Sequence, residues 1–341
     1  MSARPKILLL GEIDHAHKQW EALSEIGDLI KSQSTNRREF IEECKSGKLD
    51  GVVAAYRTLD SVRITGLIDE ELVSVLPKTW KYLCHNGAGY DQIKPDTCSN
   101  RDPPLFVSNT PAAPDDATAD TAIFLMLGAL RNFNTSMAAL RRGDFKGNPS
   151  PALGHDPEGK TLGILGMGGI GRNMKRKAEA FGMNIIYHNR RELASEMAGG
   201  AKYVSFEELL KTSDVLSLNL PLNNKTRHII STEQLRRMKP SAVIVNTARG
   251  PVLDEAALVD ALDQGVIAGA GLDVYEEEPK VHPGLVRNDK VVLLPHMGTW
   301  TSETQAKMEC WVIDNIRSAL TGKGLLSVIN EQKDLGLDKE K

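Results

Sequence analysis

The sequence is poor in cysteine: Cys44, Cys84, Cys98 and Cys310 are four in 341 residues, widely spaced and without a CxxC pair. That spacing fits isolated reduced thiols and argues against a disulfide framework or a zinc site, so no metal is expected. Long apolar stretches are missing too. Runs such as Ile7–Leu10 and Val291–Leu294 fall far short of the roughly 20 residues that span a bilayer, which removes a membrane from the expected partners. Nor is there a block of one charge. Lys and Arg number 42 against 45 Asp and Glu, for a net charge of −3, and their scatter offers no basic patch for a phosphate backbone, so nucleic acid is not an expected partner. The N-terminus runs through Arg4 and Lys6 into a four-residue apolar strand and lacks the longer apolar stretch of a signal peptide. The charged end Asp338–Lys341 carries no readable address, and a cytoplasmic location is the expectation.

What is present is ordinary globular material, 41% hydrophobic and 26% charged, long enough for two domains. Short apolar runs that suit buried parallel strands recur at Lys6–Leu10, Gly51–Ala55, Lys81–Cys84 and Leu105–Val107. A second series follows at Thr161–Leu165, Asn184–Tyr187, Val215–Leu218, Ala242–Val245, Ala268–Leu272 and Val291–Leu294. Helix-like segments separate them, a pattern that favours parallel sheets with right-handed crossovers. The fold class is therefore α/β, two doubly wound parallel-sheet domains. Between the series, Asp115–Arg131 predicts a helix that is apolar most of the way round and so buried on more than one side. Arg141–Gly159 predicts a surface connection, and Ser302–Leu320 another helix.

Gly166-Met167-Gly168-Gly169-Ile170-Gly171 is a G-x-G-x-x-G string that directly follows a predicted strand and opens a predicted helix. One glycine permits the tight turn, one lets the backbone approach a pyrophosphate, and one lets helix and strand pack closely. The anion then sits on the helix N-terminus. In an NAD site an acidic residue about 20 positions onward meets the ribose hydroxyls. Here the second strand ends in Asn189-Arg190-Arg191, with no carboxylate and two guanidinium groups suited to a 2′-phosphate. NADP(H) is favoured, and NAD(H) stays open, because both arginines also read as solvated loop charges.

Open α/β sheets bind ligands beyond the carboxyl ends of their strands. Three polar residues stand at such ends: Arg249 after Ala242–Val245, Glu278 closing the turn Asp273–Pro279, and His296 after Val291–Leu294 and Pro295. Each alone reads equally as a solvated surface group. Together they supply a fixed cation for a carboxylate, a proton carrier that titrates near neutrality, and a carboxylate to hold that imidazole charged.

Gly166–Gly171, Asn246–Ala257 (NTARGPVLDEAA), Gly269–Pro279 (GAGLDVYEEEP) and Leu294–Gly298 (LPHMG) resemble the signatures of the D-isomer-specific 2-hydroxyacid dehydrogenase family, and the likeness extends to Asn86–Asp91 (NGAGYD) and Ser108–Arg131. The resemblance implies reversible hydride transfer between a nicotinamide coenzyme and small 2-oxo or D-2-hydroxy acids, with Arg249, Glu278 and His296 as the catalytic residues. It implies that Thr247, Ala248 and Asp273 join the coenzyme contacts, and that Ala88 and Gly89 N–H groups take the substrate carboxylate beside Arg249 and His296. A Rossmann coenzyme domain, 111–299, would be inserted into a flavodoxin-like substrate domain, 1–110 and 300–341. A homodimer through the coenzyme domain would cover the apolar helix. At Asn189 the sequence resembles NADP-using glyoxylate and hydroxypyruvate reductases. Trp300 gives it the look of fungal D-mandelate dehydrogenase-like members, which admits a bulkier acid such as benzoylformate, though Trp300 equally reads as hinge packing. A different class stays open as well: a dinucleotide-sensing, corepressor-like interaction protein on the same fold.

Overall fold

A computed structural model describes residues 4–148 and 150–335; the charged end Asp338–Lys341 and Met1 lie outside the described residues. The chain forms two compact units, one running to Pro114 and resuming at Thr301, the other Asp115–Trp300.

The first unit holds five strands, β1 Lys6–Leu10, β2 Asp28–Lys31, β3 Val52–Thr58, β4 Tyr82–Asn86 and β5 Phe106–Ser108. All pair in parallel in the order β2-β1-β3-β4-β5, the flavodoxin-like arrangement. Successive strand residues face opposite sides. In β1, Leu8 and Leu10 join Phe40, Leu72 and Trp80 on one face, while Ile7 and Leu9 join Trp20, Tyr56, Val312, Ile313 and Ile316 on the other. A sheet buried on both faces needs near-continuous apolar strands, which is why β1 reads KILLL. The helix Ser302–Leu320 starts where Thr301 accepts a hydrogen bond from the Thr304 N–H at 3.2 Å. Its buried Glu309 accepts from the N–H groups of Asp14, His15 and Ala16.

The second unit holds β6 Thr161–Leu165, β7 Asn184–His188, β8 Lys202–Tyr203, β9 Val215–Leu218, β10 Val243–Asn246, β11 Gly269–Leu272 and β12 Val291–Leu293. The sheet is parallel and ordered β12-β11-β10-β9-β6-β7-β8. Counted within the unit this is the Rossmann order with one further strand, and direction reverses between β6 and β9, the switch point beyond which ligands bind. The helix Asp115–Leu130 lies directly on this sheet. A Cβ on Gly271 would stand 2.7 Å from the Cβ of Leu125, and one on Gly128 3.0 Å from Val292, so both glycines are there for close approach. Ten residues of the helix are buried, as its apolar circumference predicts, but Phe124 stays 48% exposed. Among the described residues, 142–148 and 150–160 contain neither helix nor strand. Among the described residues no helix is long and apolar enough to cross a membrane. No cluster of three His, Cys, Asp or Glu there is disposed to hold a metal ion.

Candidate active site

The glycine-rich string forms the turn from β6 into the helix Gly169–Glu179. Gly166 has φ of +95°, and a Cβ there would meet the Asn219 carbonyl at 2.8 Å; a Cβ on Gly171 would meet the Gly166 carbonyl at 2.8 Å. These two glycines close the turn and seat the helix. Gly168 is different: nothing lies within 4 Å of a Cβ built there, so its absence leaves open space at a helix start that no side chain caps. At the neighbouring strand ends, Asn219 Oδ1 after β9 and Thr247 Oγ1 after β10 are buried without a hydrogen-bond partner. An open cradle at a helix N-terminus beside two buried, unsatisfied polar atoms fits a dinucleotide.

Asn189 turns its side chain onto this loop, where Oδ1 accepts from the Met167 N–H at 2.7 Å. Arg190 and Arg191 are exposed, and among the described residues no carboxylate engages either. The sequence did not single out Asp115. A Cβ on Gly169 would stand 1.8 Å from its Oδ2, so the carboxyl abuts the helix start. Burial pushes the Asp115 pKa up, against the pull of Arg172.

Asp273 clamps the loop after β12. Its backbone carbonyl accepts from the His296 N–H at 2.8 Å, its Oδ1 from Met297 at 2.6 Å and its Oδ2 from Gly298 at 2.8 Å. Three successive N–H groups are thus fixed by one residue, itself only 1% exposed. They hold His296 at φ +56°, a left-handed conformation that a non-glycine residue keeps only when its surroundings over-determine it. Burial raises the Asp273 pKa, opposed by those N–H donors and by His296.

In that conformation His296 Nδ1 lies 2.8 Å from Glu278 Oε2, with both side chains about one-third exposed, 33% and 35%. Glu278 Oε1 accepts from the Tyr275 N–H at 2.9 Å. Burial works against the Glu278 charge. The His296 hydrogen bond and charge, the Tyr275 N–H and the Arg249 cation outweigh it and hold this carboxyl below its ordinary value.

Arg249 arrives on a loop locked by Asn246, whose amide accepts from the Ala248 N–H at 3.0 Å and donates to the Arg249 carbonyl at 2.9 Å. The next residue crosses the Glu278 turn so closely that a Cβ on Gly250 would sit 1.8 Å from the Tyr275 carbonyl carbon. That crossing is what brings a guanidinium within electrostatic reach of Glu278. Trp300 is 69% exposed, so it is not buried packing.

In the first unit, β4 runs into Asn86-Gly87-Ala88-Gly89. Three successive carbonyls there are tied back: Gly87 accepts from the Thr110 N–H at 3.0 Å, Ala88 from Asn109 Nδ2 at 2.8 Å, and Gly89 bonds His85 Nε2 at 3.0 Å. In a planar trans peptide each N–H points opposite the preceding carbonyl. The N–H groups of Ala88, Gly89 and Tyr90 therefore turn away from those anchors, and among the described residues none has an acceptor. Consecutive outward N–H groups make a concavity that suits an anion.

The family profile described as D-isomer specific 2-hydroxyacid dehydrogenase, NAD binding domain, matches residues 123–298. A 4-methyl-2-oxopentanoate reductase A of Aspergillus oryzae is 54% identical over 331 residues, 97% of this chain and 99% of that one. The chain belongs to the D-isomer-specific 2-hydroxyacid dehydrogenases. A crystal structure of a glyoxylate reductase from Paecilomyes thermophila superposes with a TM-score of 0.94 at 54% identity, covering 98% of this chain and 100% of the other. The holo form of Rhodotorula graminis D-mandelate dehydrogenase gives 0.90 at 31% identity, covering 96% and 98%. This 2-hydroxyacid dehydrogenase is thus an oxidoreductase of 2-oxo acids that works with a nicotinamide dinucleotide. The corepressor-like alternative finds no support in these likenesses.

Proposed function

We propose that the enzyme reduces 2-oxo acids to D-2-hydroxy acids with NADPH as its preferred coenzyme, His296 exchanging the proton. The observation that carries this is the His296–Glu278 pair, 2.8 Å apart, with the Arg249 turn crossing beside it. The dinucleotide would rest on Gly166–Gly171, with Thr247, Ala248 and Asp273 nearby and its 2′-phosphate on Arg190 and Arg191. When bound, it supplies the hydride. Because Nδ1 faces an ionised carboxylate, it keeps its proton, and Nε2 is the nitrogen that gives a proton to the forming alkoxide in reduction and takes one in oxidation. Arg249 orients the substrate and stabilises the negative charge that develops on its carbonyl oxygen. The Ala88 and Gly89 N–H groups take the substrate carboxylate.

Trp300, with its indole in solvent, is assigned to the substrate side chain. The substrate panel is glyoxylate, hydroxypyruvate, benzoylformate and 4-methyl-2-oxopentanoate, the last because a relative 54% identical is named for it. With NADPH, His296→Ala lowers turnover by about 10²–10⁴-fold, the usual share of a general acid, while coenzyme affinity holds. An active His296→Ala enzyme refutes the mechanism. The large apolar side chains left exposed on the second unit, Phe124, Phe133, Met137 and Leu140 among them, support a homodimer through this unit. A cytoplasmic location goes with the reduced thiols.

A further inference from the structure

Beneath the Ala88–Gly89 loop lies a buried cation that the mechanism above does not use. Arg57, near the end of β3, is 0% exposed. In the parallel register of β3 and β4 it stands opposite His85, itself 1% exposed. Arg57 Nη1 lies 3.0 Å from His85 Nδ1, and Nη2 donates to Gln92 Oε1 at 2.7 Å. Among the described residues its Nε has no hydrogen-bond partner. Burial pushes the Arg57 pKa down to about 10, against the through-space pull of Asp91. A fully buried guanidinium whose hydrogen bonds go to neutral groups is costly to keep, and so calls for a reason beyond packing.

The hydrogen-bond directions supply one. A guanidinium only donates, so His85 Nδ1 must accept and the ring proton must sit on Nε2. Nε2 is the atom 3.0 Å from the Gly89 carbonyl, and it therefore donates there. A doubly protonated ring would set a second donor and a second positive charge against Arg57, so the geometry holds His85 as the neutral Nε2–H tautomer. Gly87 permits the reach, since a Cβ on it would stand 2.7 Å from His85 Nε2. The Gly89 carbonyl so anchored belongs to the peptide whose N–H is that of Tyr90, and it closes the series of tied carbonyls that turns the loop's N–H groups outward.

We propose that Arg57 is a positioning residue for the substrate carboxylate: through His85 it fixes the Ala88–Gly89 loop with its N–H groups presented to the anion, and its buried positive charge makes that cradle selective for a carboxylate. This rests on the reading that the loop receives the 2-oxo acid's carboxylate. The step from β3 through an imidazole to a loop carbonyl involves no contact with substrate, so Arg57 acts only through its neighbours.

The test is a kinetic comparison of the full-length wild type with Arg57→Met, His85→Leu and His85→Gln, using NADPH and the 2-oxo acid that the wild type reduces best. Oxamate serves as the dead-end carboxylate probe, and thermal melting reports the fold. Removing a charge-assisted hydrogen bond that aligns a binding group weakens binding about tenfold to a hundredfold. Arg57→Met and His85→Leu therefore raise KM for the oxo acid and Ki for oxamate together by that factor. The fall in kcat is smaller, and the dissociation constant for NADPH is unchanged. His85→Gln carries an acceptor and a donor on one planar group and restores KM to within a few-fold of wild type. Isotope-edited NMR of the histidine rings adds a direct readout: His85 in the wild type shows a protonated Nε2 and a bare Nδ1, and this pattern is lost in Arg57→Met. Should Arg57→Met melt too low to assay, the His85→Leu and His85→Gln pair decides alone. KM and Ki within twofold of wild type in Arg57→Met or His85→Leu overturn the proposal, as does an equal loss of NADPH affinity. A wild type that reduces no 2-oxo acid instead defeats the reading of the site, while the tautomer measurement still decides the relay.

Discussion

Replacing Glu278 by Gln separates charge from shape. The amide has the carboxylate's outline and keeps an oxygen for the Tyr275 N–H, which donates to Glu278 at 2.9 Å. What disappears is the negative charge 2.8 Å from His296 Nδ1. A charge-assisted hydrogen bond contributes roughly 1.5–3 kcal/mol when well buried. Both side chains here are about one-third exposed, and solvent screening reduces that to about 1–2 kcal/mol. The corresponding fall in kcat/KM for reduction is about tenfold, well short of the His296→Ala effect. The pH profile carries the sharper information. Burial opposes ionisation of Glu278, but His296, Tyr275 and Arg249 hold its pKa below the ordinary value, so it is charged throughout the neutral range. Without it the imidazolium has lost its counter-charge, and the acid limb that protonation of Glu278 sets in the wild type disappears. Oxidation uses the neutral ring and suffers less at high pH. Stability should follow with a definite sign. A carboxyl whose pKa is lower in the folded than in the unfolded chain stabilises the fold above the unfolded value, and this is lost as pH falls through the folded value. The Gln variant therefore loses stability at neutral pH and shows a flatter decline in acid. An acid limb that survives unchanged in the Gln variant alongside reduced activity would refute the charge argument and leave only a structural role for Glu278.

Gly250→Ala puts a Cβ 1.8 Å from the Tyr275 carbonyl carbon and 2.0 Å from its oxygen, both backbone atoms that cannot swing aside. Overpacking of this kind costs about 1–3 kcal/mol or more, and urea denaturation should report it together with a loss of turnover. The double change Arg190→Ala, Arg191→Ala weakens NADPH binding about tenfold or more while leaving NADH binding within twofold, as measured by fluorescence titration, because only the 2′-phosphate distinguishes the two. Equal losses for both coenzymes count against the assignment. Phe133→Glu with Leu140→Glu, on side chains 42% and 57% exposed, converts a dimer to a monomer in light scattering without lowering the melting temperature of the monomeric fold. A wild type of monomer mass, or a variant of unchanged dimer mass, counts against the proposed dimer surface.

Strands buried on both faces, such as β1 and β9, are readable as apolar runs because a parallel sheet covered by helices leaves no polar side. The edge strands β2 and β8 are not. Asp28-Leu29-Ile30-Lys31 presents only two apolar residues between charged ends, and Lys202-Tyr203 is two residues long, so period and length give no signal. The helix Ser302–Leu320 covers the residues predicted for it, and the structure adds the cap at Thr301. Residues with chemistry in their side chains at strand ends, His296, Glu278 and Arg249, stand out for their type and place. Asp273 was legible as a residue of interest, but not for its grip on three successive N–H groups, which exists only once β11 and β12 pair.

Arg57 and His85 show where such reading stops. The predicted strands Gly51–Ala55 and Lys81–Cys84 stop short of both residues, which the observed strands Val52–Thr58 and Tyr82–Asn86 take in. Their burial follows from register, which sets Arg57 against His85 across β3 and β4, and from Gly87, whose missing Cβ lets the imidazole cover the loop. Neither register between strands nor clearance over a glycine can be deduced from residue type. The direction of the proton on His85 is a further step removed, because it depends on a donor-only neighbour 28 residues away. Where the contacts to substrate are backbone N–H groups, as proposed for Ala88 and Gly89, specificity rests on whatever orients that backbone, so the informative substitutions for that loop are the ones that touch no substrate.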